Sequence, residues 1–358
     1  MFAAQPQTSW VAGLSPWPAD GFGLGRMQAL LAELGDPQKA YPAVHVVGTN
    51  GKSTATRSIE ELLLADGLSV GATISPHVRS WSERIRVDGD EADLEAALAR
   101  VRPPAERLGA TQFETITAAA LAEFAAAGVA VAVVEAGLGG RLDATNVLGT
   151  RVVLLTNVSL EHTEVLGETP DQIAREKLAV AHPGIIVVLA DNRFAHLVPG
   201  CEVVVGGARE AAEAFLGRPV AADIVVQLPG RLERRGEDEL RDGAHNPAGV
   251  EWLVRRLLPA DYSIVCSILR DKDARAMLEV LATVGSRFVA TQSSNERSLP
   301  ADELAQLAAP FFGHVEAAAE PPAAVARAHE LGSPVLVTGS LYLLAELEAK
   351  EREAAWRR

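Results

Sequence analysis

The sequence has few cysteines and no long apolar run, and both absences exclude classes of protein. Its two cysteines, Cys201 and Cys266, lie far apart in apolar, strand-like stretches. We therefore expect buried free thiols in a reducing compartment rather than a disulfide framework. No apolar run reaches the length of a membrane-spanning helix, and the N-terminus lacks the basic-then-apolar pattern of a secretory signal. A cytoplasmic location is expected by elimination.

Basic residues are also in the minority. The 33 lysines and arginines are outnumbered by 47 aspartates and glutamates, which gives a formal net charge of −14. This balance argues against a nucleic-acid or anionic-membrane partner. It still allows an anionic substrate, because a few basic side chains can dominate one cleft. The length of 358 residues exceeds the usual size of one hydrophobic core, so two domains are predicted.

The most informative stretch covers residues 44–55 and reads V-H-V-V-G-T-N-G-K-S-T-A. An apolar strand is followed by a glycine-containing turn and then by a helix with apolar periodicity over 54–65. Such a turn directs backbone N–H groups to one point, where the helix N-terminus adds partial positive charge and Lys52 a full charge. The pattern is the short form G-x-x-G-K-[ST], since Val46 stands where the longer form requires glycine. It predicts a phosphate-binding loop, and the alternative is an ordinary tight turn between strand and helix.

Predicted strands and helices alternate along most of the chain. In the first part the strands cover 44–47, 69–74, 83–89, 129–134, 152–156 and 185–189, and the helices cover 27–34, 54–65, 91–101, 115–127 and 170–181. About the first 20 residues are expected to form an irregular arm. In the second part the strands cover 263–268, 288–291 and 335–338, with helices from 248 and over 341–355.

This alternation predicts an α/β fold in two domains. Residues 1–226 are expected to form a P-loop domain with a doubly wound, mostly parallel sheet. Residues 227–358 are expected to form a smaller, Rossmann-like α/β domain. The boundary is marked by the sequence L-P-G at 228–230.

Polar side chains follow several predicted strands at their carboxyl ends, where open α/β sheets bind ligands. Ser75 and Glu135 each follow an apolar strand, His162 lies in the loop after the next strand, and Lys177 lies on the helix beyond it. A hydroxyl, a carboxylate and an imidazole beside a triphosphate suit Mg²⁺. Taken alone, a strand-end glutamate is more often capped or ion-paired, and a loop histidine is more often structural or solvated. Their shared edge with the phosphate loop favours the metal site.

The motifs, in their order, resemble those of the folylpolyglutamate synthase/dihydrofolate synthase family, a branch of the Mur ligases. The matching runs are HVVGTNGKST, SPH with ERIRVDG, FETITAAALAEFA, EAGLGGRLDATNV, TNVSLEHTEVLGETPDQIAREK, PGRLE, DGAHNP, LRDKD and GSLYLLAEL. They extend from about residue 23 to residue 347. EAGLGGRLDATN and DGAHNP together are highly specific, whereas the phosphate loop alone is not.

The resemblance implies an ATP-dependent acid–amino-acid ligase of folate biosynthesis and one-carbon metabolism. In the family reaction a pterin or folate carboxylate attacks the γ-phosphate, and the amine of L-glutamate then displaces phosphate from the acyl phosphate. Phosphoryl transfer needs positioning and charge neutralisation more than covalent catalysis. The resemblance also implies that ATP, glutamate and a pterin are the partners, that one or two Mg²⁺ ions bind, and that the protein is a monomer.

It further implies roles for the residues that match the motifs. ATP would be bound by Thr49, Asn50, Gly51, Lys52, Ser53 and Thr54, and from the second domain by Arg231, Asp242 and His245. The metal ligands would be Ser75, Glu135 and His162, and the catalytic residues would be Lys52, His162 and Lys177. The pterin end would lie near Thr111, Gln112, Phe113, Leu142, Asp143 and Ala144. For the Phe113 ring, stacking on the pterin and plain core packing are equally open.

Lys177 has a further implied property, because the family's lysine at this place is often carbamylated by CO₂. Near Mg²⁺ and away from water its ammonium form is disfavoured, so its pKa should fall and the neutral amine could add CO₂. The anionic carbamate would suit a second Mg²⁺. The alternative is a surface lysine paired with Asp171 or Glu176.

Two departures from the family pattern are small. Ser53-Thr54 replaces the usual Gly-Ser of the phosphate loop and matches the form found in the wall-building Mur ligases. Glu161 stands where an aspartate usually precedes the metal-site histidine. We expect phosphate and metal binding to survive both changes.

The third departure is larger. Only about fifty residues separate Lys177 from Pro229, far fewer than the family usually carries. The missing part includes a G-x-H-Q-x-x-N-A segment whose asparagine helps to hold adenine. A helix within 206–216 is the expected remnant, with Glu210 near the place of that asparagine.

Two other hypotheses stay open. The shortened segment allows a catalytically degenerate relative that binds nucleotide or a protein partner without catalysis. The residues whose retention speaks against it are Lys52, Glu135, His162, Lys177, Asp242 and His245. The second hypothesis is a ligase that uses a different carboxylate acceptor, such as a cell-wall precursor. The sequence does not separate dihydropteroate from tetrahydrofolate as acceptor, and both could be used.

Overall fold

The computed structural model describes residues 6–18 and 21–356. The chain divides into two compact units between Val226 and Gln227. Each unit is built on its own β-sheet, and helices pack against it. Among the described residues, none of the helices combines the length and apolar character needed to cross a bilayer.

The sheet of the first unit is mostly parallel. Its strands are β1 (Ala43–Val47), β2 (Val70–Thr73), β3 (Ile85–Val87), β4 (Asp90–Glu91), β5 (Val131–Glu135), β6 (Thr150–Leu155), β7 (Ile186–Leu189) and β8 (Glu202–Val205). Their order is β4-β3-β2-β5-β1-β6-β7-β8. β3 pairs antiparallel with both β2 and β4, and the other pairs are parallel. β1 lies between β5 and β6, and all five of its residues are buried. Burial on both faces explains why this strand reads as an unbroken apolar run.

Helices cover both faces of this sheet. They are α1 (Gln7–Ala12), α2 (Gly25–Glu33), α3 (Lys52–Ala65), α4 (Leu94–Leu108), α5 (Gln112–Ala127), α6 (Thr163–Leu166), α7 (Pro170–Lys177) and α8 (Ala208–Leu216). Successive residues of β5 pack on opposite sides. Ala132 and Val134 belong to the core with α2, α4 and α5, whereas Val131 and Val133 belong to the core with α3 and α8. This is the doubly wound arrangement that the alternating sequence pattern predicted.

The second unit has a smaller sheet of the same kind. Its strands are β9 (Glu233–Arg235), β10 (Glu239–Arg241), β11 (Ser263–Cys266), β12 (Arg287–Ala290), β13 (His314–Ala317) and β14 (Val335–Thr338). Its helices are α9 (Pro247–Val254), α10 (Ala274–Leu281), α11 (Ala301–Ala308), α12 (Pro321–Leu331) and α13 (Leu341–Trp356). The strand order is β13-β12-β11-β14-β10-β9, with only β9 antiparallel to its neighbour.

The prediction of an irregular N-terminal arm is wrong for residues 7–12, which form α1. Residues 1–5, 19 and 20 of that arm lie outside the described residues. The carboxylate of Glu95 accepts the backbone N–H of Gln7 at 2.6 Å and of Thr8 at 3.0 Å. Glu95, a residue distant in sequence, therefore satisfies backbone N–H groups in the first turn of this helix. No pattern within residues 7–12 indicates this contact.

Two other predictions need correction. The helix predicted over 91–101 starts at Leu94 and runs through two prolines to Leu108, because its buried face, which includes Pro104, continues to pack in the core. Cys201 is half-exposed rather than buried, since it precedes the edge strand β8, whereas Cys266 is buried as expected and both thiols are free. Strands β8 and β13, which lie at the edges of their sheets, were not predicted. β13 lacks an apolar run, and β8 offers only three consecutive valines after Glu202.

Candidate active site

The phosphate loop follows the central strand β1 directly. Gly51 has a φ of +80°, which favours glycine, and α3 begins at the next residue, Lys52. A side chain at Gly48 would overlap the hydroxyl of Thr156, so the loop also needs glycine there for close approach. The Lys52 ammonium lies over the loop and donates to the carbonyl of Thr49 at 3.2 Å. The strand, turn, lysine and helix have the arrangement that the phosphate-loop prediction requires.

The segment after β6 clamps this loop, and sequence reasoning missed it. The side-chain amide of Asn157 accepts the N–H of Asn50 at 2.9 Å and donates to the carbonyl of Asn50 at 2.8 Å. The Thr156 hydroxyl donates to that same carbonyl at 2.8 Å. The backbone N–H of Thr49 donates to the carbonyl of Asn157 at 2.9 Å. Together these bonds fix the peptide groups just before Gly51.

We expect Asn157→Asp to raise the KM for ATP about tenfold, since it breaks the clamp and one net hydrogen bond contributes about 1 kcal/mol. The aspartate would place an oxygen against the Asn50 carbonyl and add negative charge beside the phosphates. Steady-state kinetics at varied ATP measures the effect. Asn192→Asp adds the same charge at an exposed position, the first residue of the 3₁₀ helix Asn192–Leu197, and should leave the KM for ATP unchanged. Equal values for both variants would show that the clamp plays no part in ATP binding.

Glu135 is the last residue of strand β5, and its side chain connects helix α3 to the segment that follows the neighbouring strand β2. Its side chain is 3% exposed. One carboxylate oxygen accepts from the Ser53 hydroxyl at 3.1 Å, and the other accepts from the backbone N–H of Ser75 at 3.0 Å. Ser75 follows β2, which pairs with β5. The predicted convergence of these residues at one sheet edge is therefore present in the structure.

These groups fit a hard divalent cation. Carboxylate and hydroxyl oxygens are the ligands that Mg²⁺ prefers. No group of three or more His, Cys, Asp and Glu side chains converges among the described residues. The predicted set contains one carboxylate and one imidazole, and phosphate oxygens and water would complete the shell.

His162 lies on the loop after β6 with a φ of 51°, in the left-handed region. Its side chain is 25% exposed, and Nε2 lies 4.0 Å from the carboxylate of Glu161. The loop continues into the short helix α6 and then α7, which carries Lys177. The phosphate loop follows the carboxyl end of β1, and the segment that carries His162 and Lys177 follows the carboxyl end of β6, which is parallel to β1. The chain thus brings His162 and Lys177 to the same edge of the sheet as the phosphate loop.

Lys177 is buried, so the alternative of a surface lysine is wrong. It is 4% exposed, and its ammonium donates to the carbonyl of Gly48 in the phosphate loop at 2.9 Å. The pKa of Lys177 is lowered to about 7, chiefly by burial and also by the charge of Lys52, while Glu161 and other carboxylates oppose the shift. Part of the predicted fall in pKa therefore arises from the protein alone.

The two segments predicted to bind the pterin come together around Gly137. A Cβ atom at Gly137 would lie 2.7 Å from Cζ of Phe113 and 3.1 Å from Oδ2 of Asp143. Leu142, beside Asp143, is 45% exposed, whereas Phe113 is half-buried against the core with α5. Phe113 and Leu142 are the members of the predicted set best placed to present apolar surface to a ligand.

The other members of that set have structural partners. Thr111 caps α5 by accepting the N–H of Glu114 at 3.3 Å and donating to its carboxylate at 2.8 Å. Gln112 donates to the carbonyl of Val11 at 3.2 Å. Asp143 accepts the backbone N–H of Leu138 at 2.8 Å, and burial raises its pKa. Ala144 is buried.

In the second unit, Asp242 joins two of the sequence motifs into one loop structure. Its buried carboxylate accepts the N–H of Leu232 and the N–H of Ala244, both at 2.8 Å. Burial raises the pKa of Asp242, and the charge of Arg231 opposes that shift. The ring of His245 lies 2.9 Å from the carbonyl of Gly243 through Nδ1. The three residues predicted to reach ATP from this unit therefore lie close together.

Comparison with known proteins identifies the family. Residues 46–215 match the Mur ligase middle domain. The dihydrofolate synthase/folylpolyglutamate synthase of Mycobacterium tuberculosis is 31% identical over 382 residues, which cover 81% of this chain and 78% of that protein. This chain belongs to the dihydrofolate synthase/folylpolyglutamate synthase family.

Solved structures of this family have the same fold. Escherichia coli FolC in complex with DHPP and ADP is 26% identical, with a TM-score of 0.86 and 99% of each chain covered. A bifunctional folylpolyglutamate synthase/dihydrofolate synthase with Mn, AMPPNP and L-glutamate bound is also 26% identical, with a TM-score of 0.85 and 98% of each chain covered. The family, the fold class and the class of ATP-dependent ligase of folate metabolism predicted from the sequence are confirmed.

The segment between Lys177 and Pro229 contains the predicted remnant helix. The predicted remnant helix is α8, which packs with α3 in one core. Glu210 caps this helix, because its carboxylate accepts the N–H of Gly207 at 2.6 Å. Glu210, the residue predicted to lie near the place of the family's asparagine, therefore caps its own helix.

Proposed function

We propose that this chain joins L-glutamate to the carboxylate of a pterin or folate, dihydropteroate or tetrahydrofolate, through an acyl phosphate formed with ATP. The observation that carries the proposal is the position of Glu135, which is buried and bonded to both Ser53 and Ser75 at the phosphate loop. A carboxylate in that position provides a fixed negative charge for the Mg²⁺ ion of a bound magnesium nucleotide.

The residues of the first unit have distinct roles in this proposal. Residues 49–54, with Lys52, bind the phosphates and hold the γ-phosphate in line with the acceptor carboxylate. Ser75, Glu135 and His162 would hold one or two Mg²⁺ ions, which would supply positive charge against the transferring phosphoryl group. His162 and Lys177 lie on the side where that charge develops.

The pterin binds beside the same loop in this proposal. The half-buried ring of Phe113 and the exposed side chain of Leu142 provide apolar contact, while Asp143 orients the loop between them. Thr111 and Gln112 act by fixing the start of α5 and its contact with α1. The pterin thus lies close to the phosphate loop, as attack on the γ-phosphate requires.

The second unit completes the enzyme. We assign residues 1–226 to ATP and folate binding and residues 227–358 to the glutamate ligase domain, with Arg231, Asp242 and His245 contacting ATP. The buried Asp242 supports this role by joining the two segments that carry Arg231 and His245. A cytoplasmic monomer remains our expectation for the whole chain.

Release of ADP by the full chain tests the function. We expect release to require L-glutamate together with dihydropteroate or tetrahydrofolate, and mass spectrometry of the product to show one added glutamate. Comparison of the two acceptors decides which is used. Release only with a different carboxylate would indicate another ligase, and nucleotide binding without any release would indicate a degenerate relative.

A further inference from the structure

A buried arginine on α3, the helix that follows the phosphate loop, connects α3 to the loop after β2. Arg57 lies on α3 and is 2% exposed, and Glu60, one turn later, is fully buried. Their side chains form an ion pair at 2.7 Å. The other terminal nitrogen of Arg57 donates to the backbone carbonyl of Glu83, which lies beyond the loop that begins at Ser75.

Glu83 in turn holds that loop in shape. Its carboxylate accepts the backbone N–H of Val78 at 3.2 Å and of Ser80 at 2.6 Å, and it also accepts the N–H of Arg79. Three consecutive peptide groups are therefore oriented by one side chain. The same loop starts at Ser75, whose N–H donates to Glu135.

These contacts connect α3 to the loop after β2 at two places, one near the proposed metal site and one farther from it. Near the site, α3 is connected to the loop through Ser53, Glu135 and Ser75. Farther from the site, α3 is connected to the same loop through Arg57 and Glu83. Two connections leave the loop little freedom to rotate about either one.

The chemistry of arginine suits this role. Its planar fork can satisfy a side-chain carboxylate and a backbone carbonyl at once, which the single ammonium of lysine cannot do in the same geometry. Arg86 of β3 forms a second ion pair with Glu60 at 3.4 Å, so Glu60 lies between Arg57 and Arg86 and is itself held in place. A buried ion pair is weak evidence for stability, and orientation is the better explanation for it here.

We propose that Arg57 is a positioning residue that, through Glu83, holds Ser75 and Glu135 in the geometry needed for metal binding. This inference rests on the proposed role of Glu135 as a metal ligand. Arg57 itself touches neither nucleotide nor metal in the proposal.

Metal binding provides the test, without turnover. Mn²⁺ affinity is measured by electron paramagnetic resonance on the full chain saturated with AMPPNP, and AMPPNP affinity is measured separately without metal. We expect Arg57→Lys to weaken Mn²⁺ binding about tenfold, a loss of about 1.4 kcal/mol, with metal-free AMPPNP affinity changed less than about twofold. Glu83→Gln should act in the same direction, because an amide offers one accepting oxygen in place of two.

Arg287→Lys is the matched control. Arg287 likewise pairs with a carboxylate, that of Asp261 at 3.3 Å, and donates to a backbone carbonyl, that of Asp261 at 2.6 Å, but it lies in the second unit at the start of β12. We expect it to lower the melting temperature without changing Mn²⁺ affinity. If Arg57→Lys does not fold, Glu83→Gln alone decides the test.

The outcomes separate this inference from the proposed function. Lower melting temperatures for Arg57→Lys and Glu83→Gln with unchanged Mn²⁺ affinity would overturn the positioning role, provided that Glu135→Gln weakens Mn²⁺ binding. Unchanged Mn²⁺ affinity in Glu135→Gln itself would instead overturn the metal assignment on which the inference rests.

Discussion

Replacement of Glu135 by glutamine is expected to abolish ligation, with a loss in kcat of at least about 10³-fold, or ~4 kcal/mol of transition-state stabilisation. The substitution removes the buried negative charge but preserves the shape of the side chain. The glutamine oxygen can accept the N–H of Ser75, and its amide can donate to the Ser53 hydroxyl, so both hydrogen bonds have a replacement. The fold should therefore survive.

Three measurements check this expectation. Product formation is followed by mass spectrometry, nucleotide binding by calorimetry, and folding by the melting temperature. We expect an unchanged melting temperature, a lost product and weakened binding of nucleotide with Mg²⁺ but not without it. Ligation at the wild-type rate would remove Glu135 from the metal site. Glu202→Gln, an exposed change at the start of edge strand β8, is the control and should ligate normally.

Lys177 is expected to be carbamylated in the active protein, and Lys177→Ala is expected to lose activity by about 10²-fold. Its amine is buried against the phosphate loop, and its pKa is lowered to about 7. The neutral form that adds CO₂ therefore increases as pH rises through about 7, whereas lysine in water is almost fully protonated there. A carbamate nitrogen retains one N–H, so the bond to the carbonyl of Gly48 can persist.

Native mass spectrometry in bicarbonate buffer checks this prediction. We expect one added CO₂ on Lys177, with higher occupancy at pH 8 than at pH 6 and loss on acidification. Lys39 is the control, since it is 72% exposed and paired with Asp36, and it should remain unmodified. Short carboxylates such as formate should restore part of the activity of Lys177→Ala. Full activity of that variant without any addition would reject the role of a carbamate.

The local parts of this enzyme were predictable because the interactions that form them are close in sequence. The phosphate loop is a strand, a turn and a helix within residues 43–65, and its glycine, lysine and hydroxyl follow one another directly. The capping box of Thr111 with Glu114 is likewise local. Strand-end residues such as Glu135 were predictable because parallel strands place their carboxyl ends along one edge.

The sequence by itself determined the family, most of the order of strands and helices, and the residue types at the carboxyl edge of the first sheet. Only the tertiary structure decided how those residues are held. The Asn157 clamp, the burial of Lys177 and the connection from Arg57 to Glu83 each join residues far apart in the chain. Such contacts depend on which strands become neighbours, and that choice follows from the packing of the whole unit rather than from any local pattern.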